Sequence, residues 1–310
     1  MKLAAAIGNY VKFKRALGMH LRSEGALLIR FSKVMGAIDI SDVNPDAVRS
    51  FIVGKGPVTA SCRQHFSVLN SFYRYALSRG FAKTSPLPRT LPKIPPSGPP
   101  YIYTSRDLQR LLAATASLQT RKAPWRGRAF RTLLLLLYST GLRIGEALAL
   151  TLRDVDLVNQ VITVRNAKFF KERLVPCGPK LNAELADYAT FRRRRQRLPA
   201  GEGSSFFANS LGTRWDLAAT QKFFRQVCLR AGVVRDGGPR RQPRLHDLRH
   251  TAAQHRVEAW YREGKDVQRL LPQLATFLGH RDLDGTQRYL HMTSELLREA
   301  NRRFERYAQP

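Results

Sequence analysis

Between Leu245 and His291 the chain carries four side chains whose types could do chemistry: His246, Arg249, His280 and Tyr289. Taken singly, each has an ordinary explanation, because a histidine or tyrosine on a helix is more often packed than reactive. Their order carries more. His246 and Arg249 make an HxxR pair, His280 closes a Leu-Gly-His triplet, and Tyr289 follows nine residues later. A further arginine, Arg143, stands far upstream in STGLRIGEAL. A guanidinium is a planar, permanently charged fork that donates paired hydrogen bonds to an oxyanion. An imidazole handles protons near neutral pH. A tyrosine phenol, with an unperturbed pKa of about 10, becomes a nucleophile once its proton is removed or its phenolate is stabilised. Glu146, one turn past Arg143, would repel an anionic substrate, so it fits better as a carboxylate that orients an arginine.

His246 and His250 stand four residues apart, the spacing of two metal ligands on one helix face. The stretch HDLRH argues against zinc. Asp247 is shorter than the glutamate a zinc protease uses there, and Arg249 would push a cation away. The three cysteines, Cys62, Cys177 and Cys228, lie far apart and form no CxxC pair. They fit a reducing compartment and neither a disulfide framework nor a metal site. No metal and no cofactor are expected.

The charge balance names the class of partner. Lys and Arg number 53 against 23 Asp and Glu, a formal net charge of +30 spread along all 310 residues. A surplus of that size implies a polyanion, most simply nucleic acid. A membrane partner is not expected: the greasiest run, Leu133 to Tyr138, is far short of the roughly 20 residues a span needs. Asn9, Lys12 and Lys14 interrupt the first residues too early for a signal peptide, so a cytoplasmic protein is expected.

The elements that must hold these residues can be read in order. Residues 1–85 predict short helices, with apolar stripes at Tyr10, Val11, Phe13 and Leu17 and at Leu27, Leu28, Phe31 and Val34. Asn44-Pro45-Asp46 predicts a helix start, and Thr59 to Arg79 a longer helix bearing Arg63, Arg74 and Arg79 beside its apolar stripe. Residues 86–103 read as a semi-rigid linker, since proline has a fixed φ and no amide donor. Residues 104–310 begin with a helix-cap pattern at Thr104 to Asp107 and include an apolar helix from Trp125 to Ser139 that Gly141 breaks. Val161 to Val164 and Leu174 to Val175 predict strands flanking a basic turn. Pro179 to Leu198 predicts a helix whose closing arginines, 192–195 and 197, form a solvated basic end, with phosphate contact as the alternative.

Four motifs in this order resemble the tyrosine recombinase, or phage-integrase, family: Thr140-Gly141-Leu142-Arg143-Ile144-Gly145-Glu146, Lys171-Glu172-Arg173-Leu174-Val175-Pro176, His246-Asp247-Leu248-Arg249-His250-Thr251, and Leu278-Gly279-His280 through Tyr289. The likeness covers the chain from about Tyr101 onward by motif, and the first ninety or so residues by architecture. It implies a mainly α fold with a small β-sheet (α+β), with a helical DNA-binding domain at 1–85 and a catalytic domain at 104–310. Joined by the linker, the two would grip DNA from two sides, each raising the effective concentration of the other.

The resemblance also implies roles. Tyr289 would attack a DNA phosphate to give a 3′-phosphotyrosine, Arg143 and Arg249 would hold the phosphate oxygens, and His246 and His280 would donate hydrogen bonds or move protons. Lys168, by its place in the basic turn, would protonate the departing 5′-oxygen, with Lys171 as the alternative. Phe169 and Phe170 replace the glycines common in that turn. The expected activity is site-specific recombination, needing no ATP, in integration or excision of a mobile element. The segment from 292 to 307 would dock on a neighbouring protomer to build a homo- or hetero-tetramer on two DNA sites. The ending QRYLHMTSELLREANRRFERYA, with the long interval between Arg249 and His280, resembles recombinases encoded in sets of three on bacterial elements. Two alternatives stay open: a DNA-binding partner of the same fold that does not cut, and a type IB topoisomerase-like enzyme that relaxes DNA.

Overall fold

Two helix starts written in the sequence are closed by their own side chains in the computed structural model, which describes residues 1–19, 21–56, 58–93, 98–165, 172–195, 198–238 and 241–279, with 301 and 305. Asn44 Oδ1 accepts the amides of Asp46 and Ala47 and opens a helix at Pro45. Thr104 and Asp107 exchange side-chain and backbone hydrogen bonds as a capping box, which satisfies amides that a helix start otherwise leaves bare. The chain is mainly helical with one small sheet, the α+β class expected, and divides into two units, Met1–Ser97 and Gly98–Pro310.

The first unit holds α1 (Leu3–Ala16), α2 (Arg22–Met35), α3 (Pro45–Val53) and α4 (Ala60–Ser78). Leu3, Ala6, Ile7 and Tyr10 of α1 meet Leu28 and Phe31 of α2 and Leu69, Phe72 and Tyr73 of α4 in one apolar core. The apolar periodicity misjudged the edges of two stripes. Leu17 lies beyond the end of α1, and Leu17 and Val34 are exposed, because a 3.6-residue period fixes a face but not its width. Leu87 and Leu91, within the proline-rich stretch, pack on this same core.

The second unit holds α5 (Ser105–Ala114), α6 (Arg126–Thr140), α7 (Ile144–Ala149), α8 (Pro179–Arg193), α9 (Leu217–Ala231), α10 (Leu245–Arg262) and α11 (Val267–Leu278). Its core centres on α6, whose Ala129, Phe130, Leu133, Leu136 and Leu137 are all buried. Strands β1 (Val155–Asp156), β2 (Val161–Val164) and β3 (Arg173–Pro176) form an antiparallel sheet in that order. Ile162 pairs with Val175 and Val164 with Arg173. Ile162, Val164 and Val175 are buried while Leu174 is exposed, the alternation expected of a half-covered sheet. Part of the long interval after Arg249 is structure: α10 runs on to Arg262, Gly264 turns the chain, and α11 packs back through Val257, Val267, Leu274 and Leu278.

The basic end of α8 departs from expectation in part: Arg193 and Arg194 are exposed, Arg192 is not. Arg192 is only 1% exposed and is not solvated. Its guanidinium donates to the carbonyls of Ser205, at 3.1 Å, and Pro199, at 3.0 Å, so it ties down the return of the chain from α8. Arg195 lies over the Trp125 ring, 4.1 Å from its centroid. Backbone carbonyls left bare by a non-regular connection explain both the burial and its direction.

Candidate active site

The turn that ends α6 is what places Arg143. Gly141 has φ +61°, and a Cβ there would lie 2.5 Å from Leu278 Cδ2. Only glycine takes this left-handed turn at so close an approach without strain. The Gly141 carbonyl then accepts a hydrogen bond of 2.6 Å from Arg249 Nη1. Arg249, on α10, is 2% exposed.

Arg143 caps the start of α7 with extended backbone. Its N–H donates to Glu146 Oε2 at 3.0 Å and its Nη1 to Glu146 Oε1 at 2.9 Å. Its Nη2 donates to the carbonyl of Gly279 at 3.1 Å. The two arginines therefore cross-brace three elements: Arg249 binds a carbonyl two residues before Arg143, and Arg143 binds the carbonyl of the residue just before His280. Arg143 remains 36% exposed, leaving part of its guanidinium open to a ligand.

A third arginine completes the cluster. Arg173, at the start of β3, donates to both oxygens of Glu146, at 3.2 and 2.8 Å. A Cβ on Gly279 would sit 2.8 Å from the Arg173 guanidinium carbon, so the guanidinium plane lies against the cap of α11. Burial pushes the Glu146 carboxyl upward, but hydrogen bonds from Arg173 and from the Arg143 backbone, the Arg173 charge and the Arg143 side chain outweigh it and hold it at about 2. The sequence places Arg173 within a motif and assigns it no role. Strand alternation was the signal available: Arg173 shares a face with Val175, which is buried.

The start of α10 is anchored separately. Asp247, buried, accepts the Arg244 N–H at 2.9 Å and Arg244 Nη2 at 2.8 Å. The Tyr103 hydroxyl donates to the Arg244 carbonyl at 3.0 Å, and the Tyr103 N–H to Thr251 Oγ1 at 3.1 Å. This fixes the helix turn that carries His246 and Arg249. The rings of His246 and His250 meet edge to face with centroids 4.9 Å apart. His246 reaches solvent, yet crowding by protein atoms and then the Arg249 charge lower its pKa. Burial, followed by His246, lowers His250 to about 4. Among the described residues no group of three or more His, Cys, Asp or Glu could hold a metal. The three cysteines are buried and unpaired.

Lys168 and its alternative Lys171, His280 and Tyr289 lie outside the described residues. Described residues flank them. Arg165 donates to Glu172 at 3.2 Å, an ion pair between the residues on either side of 166–171, and to Asp154 at 2.6 Å. Gly279, capping α11 with φ +70°, leads into His280.

The sequence pattern of the phage integrase family matches residues 102–295. An integrase/recombinase of Sinorhizobium fredii, y4rB, is 35% identical over 97% of this chain and 96% of its own length. The tyrosine recombinase XerC of Thermodesulfovibrio yellowstonii is 30% identical over 92% of this chain and 89% of its own. Among solved structures, the Tn1549 transposon integrase in complex with a circular intermediate DNA shares the fold, with a TM-score of 0.67 at 16% identity over 98% of this chain and 99% of that one. The class is that of the tyrosine recombinases, enzymes of site-specific recombination. The chain belongs to the phage integrase family. Among the described residues no helix is long and apolar enough to cross a membrane.

Proposed function

We propose that Arg143, Arg249 and His246, with Lys168, His280 and Tyr289, form one phosphoryl-transfer site on double-stranded DNA, and that the chain uses it to integrate or excise a mobile element. The observation that carries this reading is the cross-brace of Arg143 and Arg249 through the carbonyls of Gly279 and Gly141. It ties one permanent cation to the residue just before His280 and the other to the turn that leads into the first, which supports a shared role for them on an oxyanion. The transition state of phosphate transfer spreads negative charge over non-bridging oxygens, which preorganised guanidinium forks stabilise.

In the step we propose, Tyr289 gives its phenol proton to His246, its oxygen attacks phosphorus, and the bond from phosphorus to the 5′-oxygen breaks. The departing 5′-oxygen takes a proton from Lys168. A 5′-hydroxyl of a second strand then attacks the phosphotyrosine and releases the phenol, so bond energy is kept and no ATP is spent. Crowding by protein atoms and then the Arg249 charge lower the pKa of His246, which favours the neutral imidazole that a proton acceptor requires. Glu146 orients Arg143 and does not touch the phosphate.

The first unit is assigned to DNA binding. Arg63 and Arg74 stand exposed on α4, and such contacts give salt-sensitive, sequence-independent affinity. Assembly into a tetramer on two sites is assigned to the segment 292–307, which carries Leu296, Leu297, Ala300, Phe304 and Tyr307. A cleft of about 870 Å³ in the second unit, lined in part by Tyr138, Leu181, Trp260, Leu274 and Phe277, offers an apolar receptor for such a segment from a neighbouring protomer. Deleting 294–310 should leave DNA binding intact and impair assembly; unchanged recombination by the truncated chain would refute that assignment.

Trapping the covalent adduct in cells of the source organism and sequencing the attached DNA tests the whole reading. Adducts at a few discrete sites, lost in Tyr289→Phe, are expected. Adducts scattered over the genome would favour a topoisomerase-like relaxation. DNA bound without any adduct would favour a non-cutting partner.

A further inference from the structure

Glu146 presents a problem of charge. It is a half-buried carboxylate, its side chain 11% exposed, in hydrogen-bond contact with an arginine assigned to bind phosphate. Alone, the pair Arg143–Glu146 carries no net charge, and a carboxylate so close would compete with an incoming phosphate for the guanidinium. Arg173 changes that balance. It puts two donors on the same carboxylate, one on each oxygen, and is itself only 15% exposed. Its guanidinium rests against Gly279, where any side chain would collide with it. Two cations then share one anion. The shielded cation, Arg173, is committed to the carboxylate; the more open one, Arg143, keeps a direction of approach.

We propose that Arg173 is a positioning residue: it neutralises Glu146, so that Arg143 is held in place by the carboxylate without giving up its charge to it. This rests on the assignment of Arg143 to the phosphate. Arg173 does not touch DNA and acts through Glu146. The low carboxyl pKa of Glu146, drawn down against burial by Arg173 first among its partners, fits a carboxylate already committed to a cation. The geometry also gives the sheet a part in the site, since Arg173 is the first residue of β3 and comes five residues after Lys168. Arg244 and Asp247 provide an internal control: the same pairing of arginine and acid, with the arginine 58% exposed and no second cation bound to Asp247 by any described side chain.

The test is a double-mutant cycle on the rate of covalent adduct formation. The probe is a labelled duplex carrying the sequence recovered from wild-type adducts, at saturating concentration. Arg173→Gln should slow adduct formation roughly 10- to 100-fold, with the dissociation constant for DNA changed by less than about 3-fold. Glu146→Gln should also be slow, because Arg143 and Arg173 then face each other unpaired. The decisive variant is the double one. With carboxylate and second guanidinium both gone, Arg143 regains its net charge, so Glu146→Gln/Arg173→Gln should be faster than Arg173→Gln alone. A merely structural role for Arg173 makes the double variant slower than either single one, by about the product of their effects, and that result overturns the proposal. Arg143→Gln separates the two failures. If it keeps the wild-type rate, the assignment of Arg143 to the phosphate falls and the proposal with it. If it is slow while the double variant shows no recovery, the proposal alone falls.

Discussion

The starts of α7 and α10 use the same local device with different consequences. Each opens on an arginine, Arg143 or Arg244, followed three residues later by an acid, Glu146 or Asp247, that accepts both the backbone N–H and the guanidinium of that arginine. At α10 the device is complete in itself. Arg244 points to solvent, and the helix is held by Tyr103, which donates to Thr251 and to the Arg244 carbonyl. At α7 the acid takes a second guanidinium from the sheet, and the capping arginine reaches across to the end of α11. The pattern of an arginine and an acid three apart is thus a helix start in both places. It becomes part of a site only where long-range partners converge on it.

The comparison is broken most forcefully through the buried arginine. Arg249→Ala should lower the rate of adduct formation by roughly 10²- to 10³-fold or more. It should also cost about 1.5–3 kcal/mol of stability through the lost charge-assisted bond to Gly141, read by denaturant unfolding. Next in size, Glu146→Gln and Asp247→Asn should part company. Glu146→Gln is expected to slow adduct formation about 10- to 100-fold. Asp247→Asn should cost about 1 kcal/mol of stability and leave the rate within a few-fold. Equal losses of rate would mean that both helix starts serve the chemistry.

Gly141→Ala comes third. The left-handed turn and the collision with Leu278 should cost about 1–3 kcal/mol, and Leu278→Ala in the same chain should return part of it. The smallest effects are in acid. Glu146 has a depressed folded pKa, so its stabilisation is complete above the usual carboxylate value of 4.5 and is lost as pH falls toward about 2. His250 is held down from 6.5 to about 4. Between those values the unfolded chain takes up a proton that the folded one resists, and stability falls as pH drops from 6.5 to 4. Melting temperature against pH should therefore flatten from 6.5 to 4 in His250→Asn, and from 4.5 to 2 in Glu146→Gln. The same window for both variants would show that the two helix starts titrate as one.

What the sequence made legible follows the same line between local and long-range. Asn44 and Thr104 declare their helices because a cap needs only a few neighbouring residues. Arg143 and Arg249 could be picked out by motif order, while the carbonyls that hold them, Gly279 and Gly141, could not, since each contact spans more than a hundred residues. Arg192 was read as solvated because an arginine run looks the same whether it faces water or a returning stretch of chain. Arg173 was visible only as an inward position of a four-residue strand, and its partner Glu146 lies on a different element.

A structure of the Tyr289→Phe chain on its DNA site tests the central claim most directly. Arg143 and Arg249 are expected about 3 Å from the non-bridging oxygens of one phosphate, with Arg173 still on Glu146 and Arg244 still on Asp247. A phosphate held by Arg244, or by Arg173 released from Glu146, with Arg143 still on the Gly279 carbonyl and away from DNA, would contradict it.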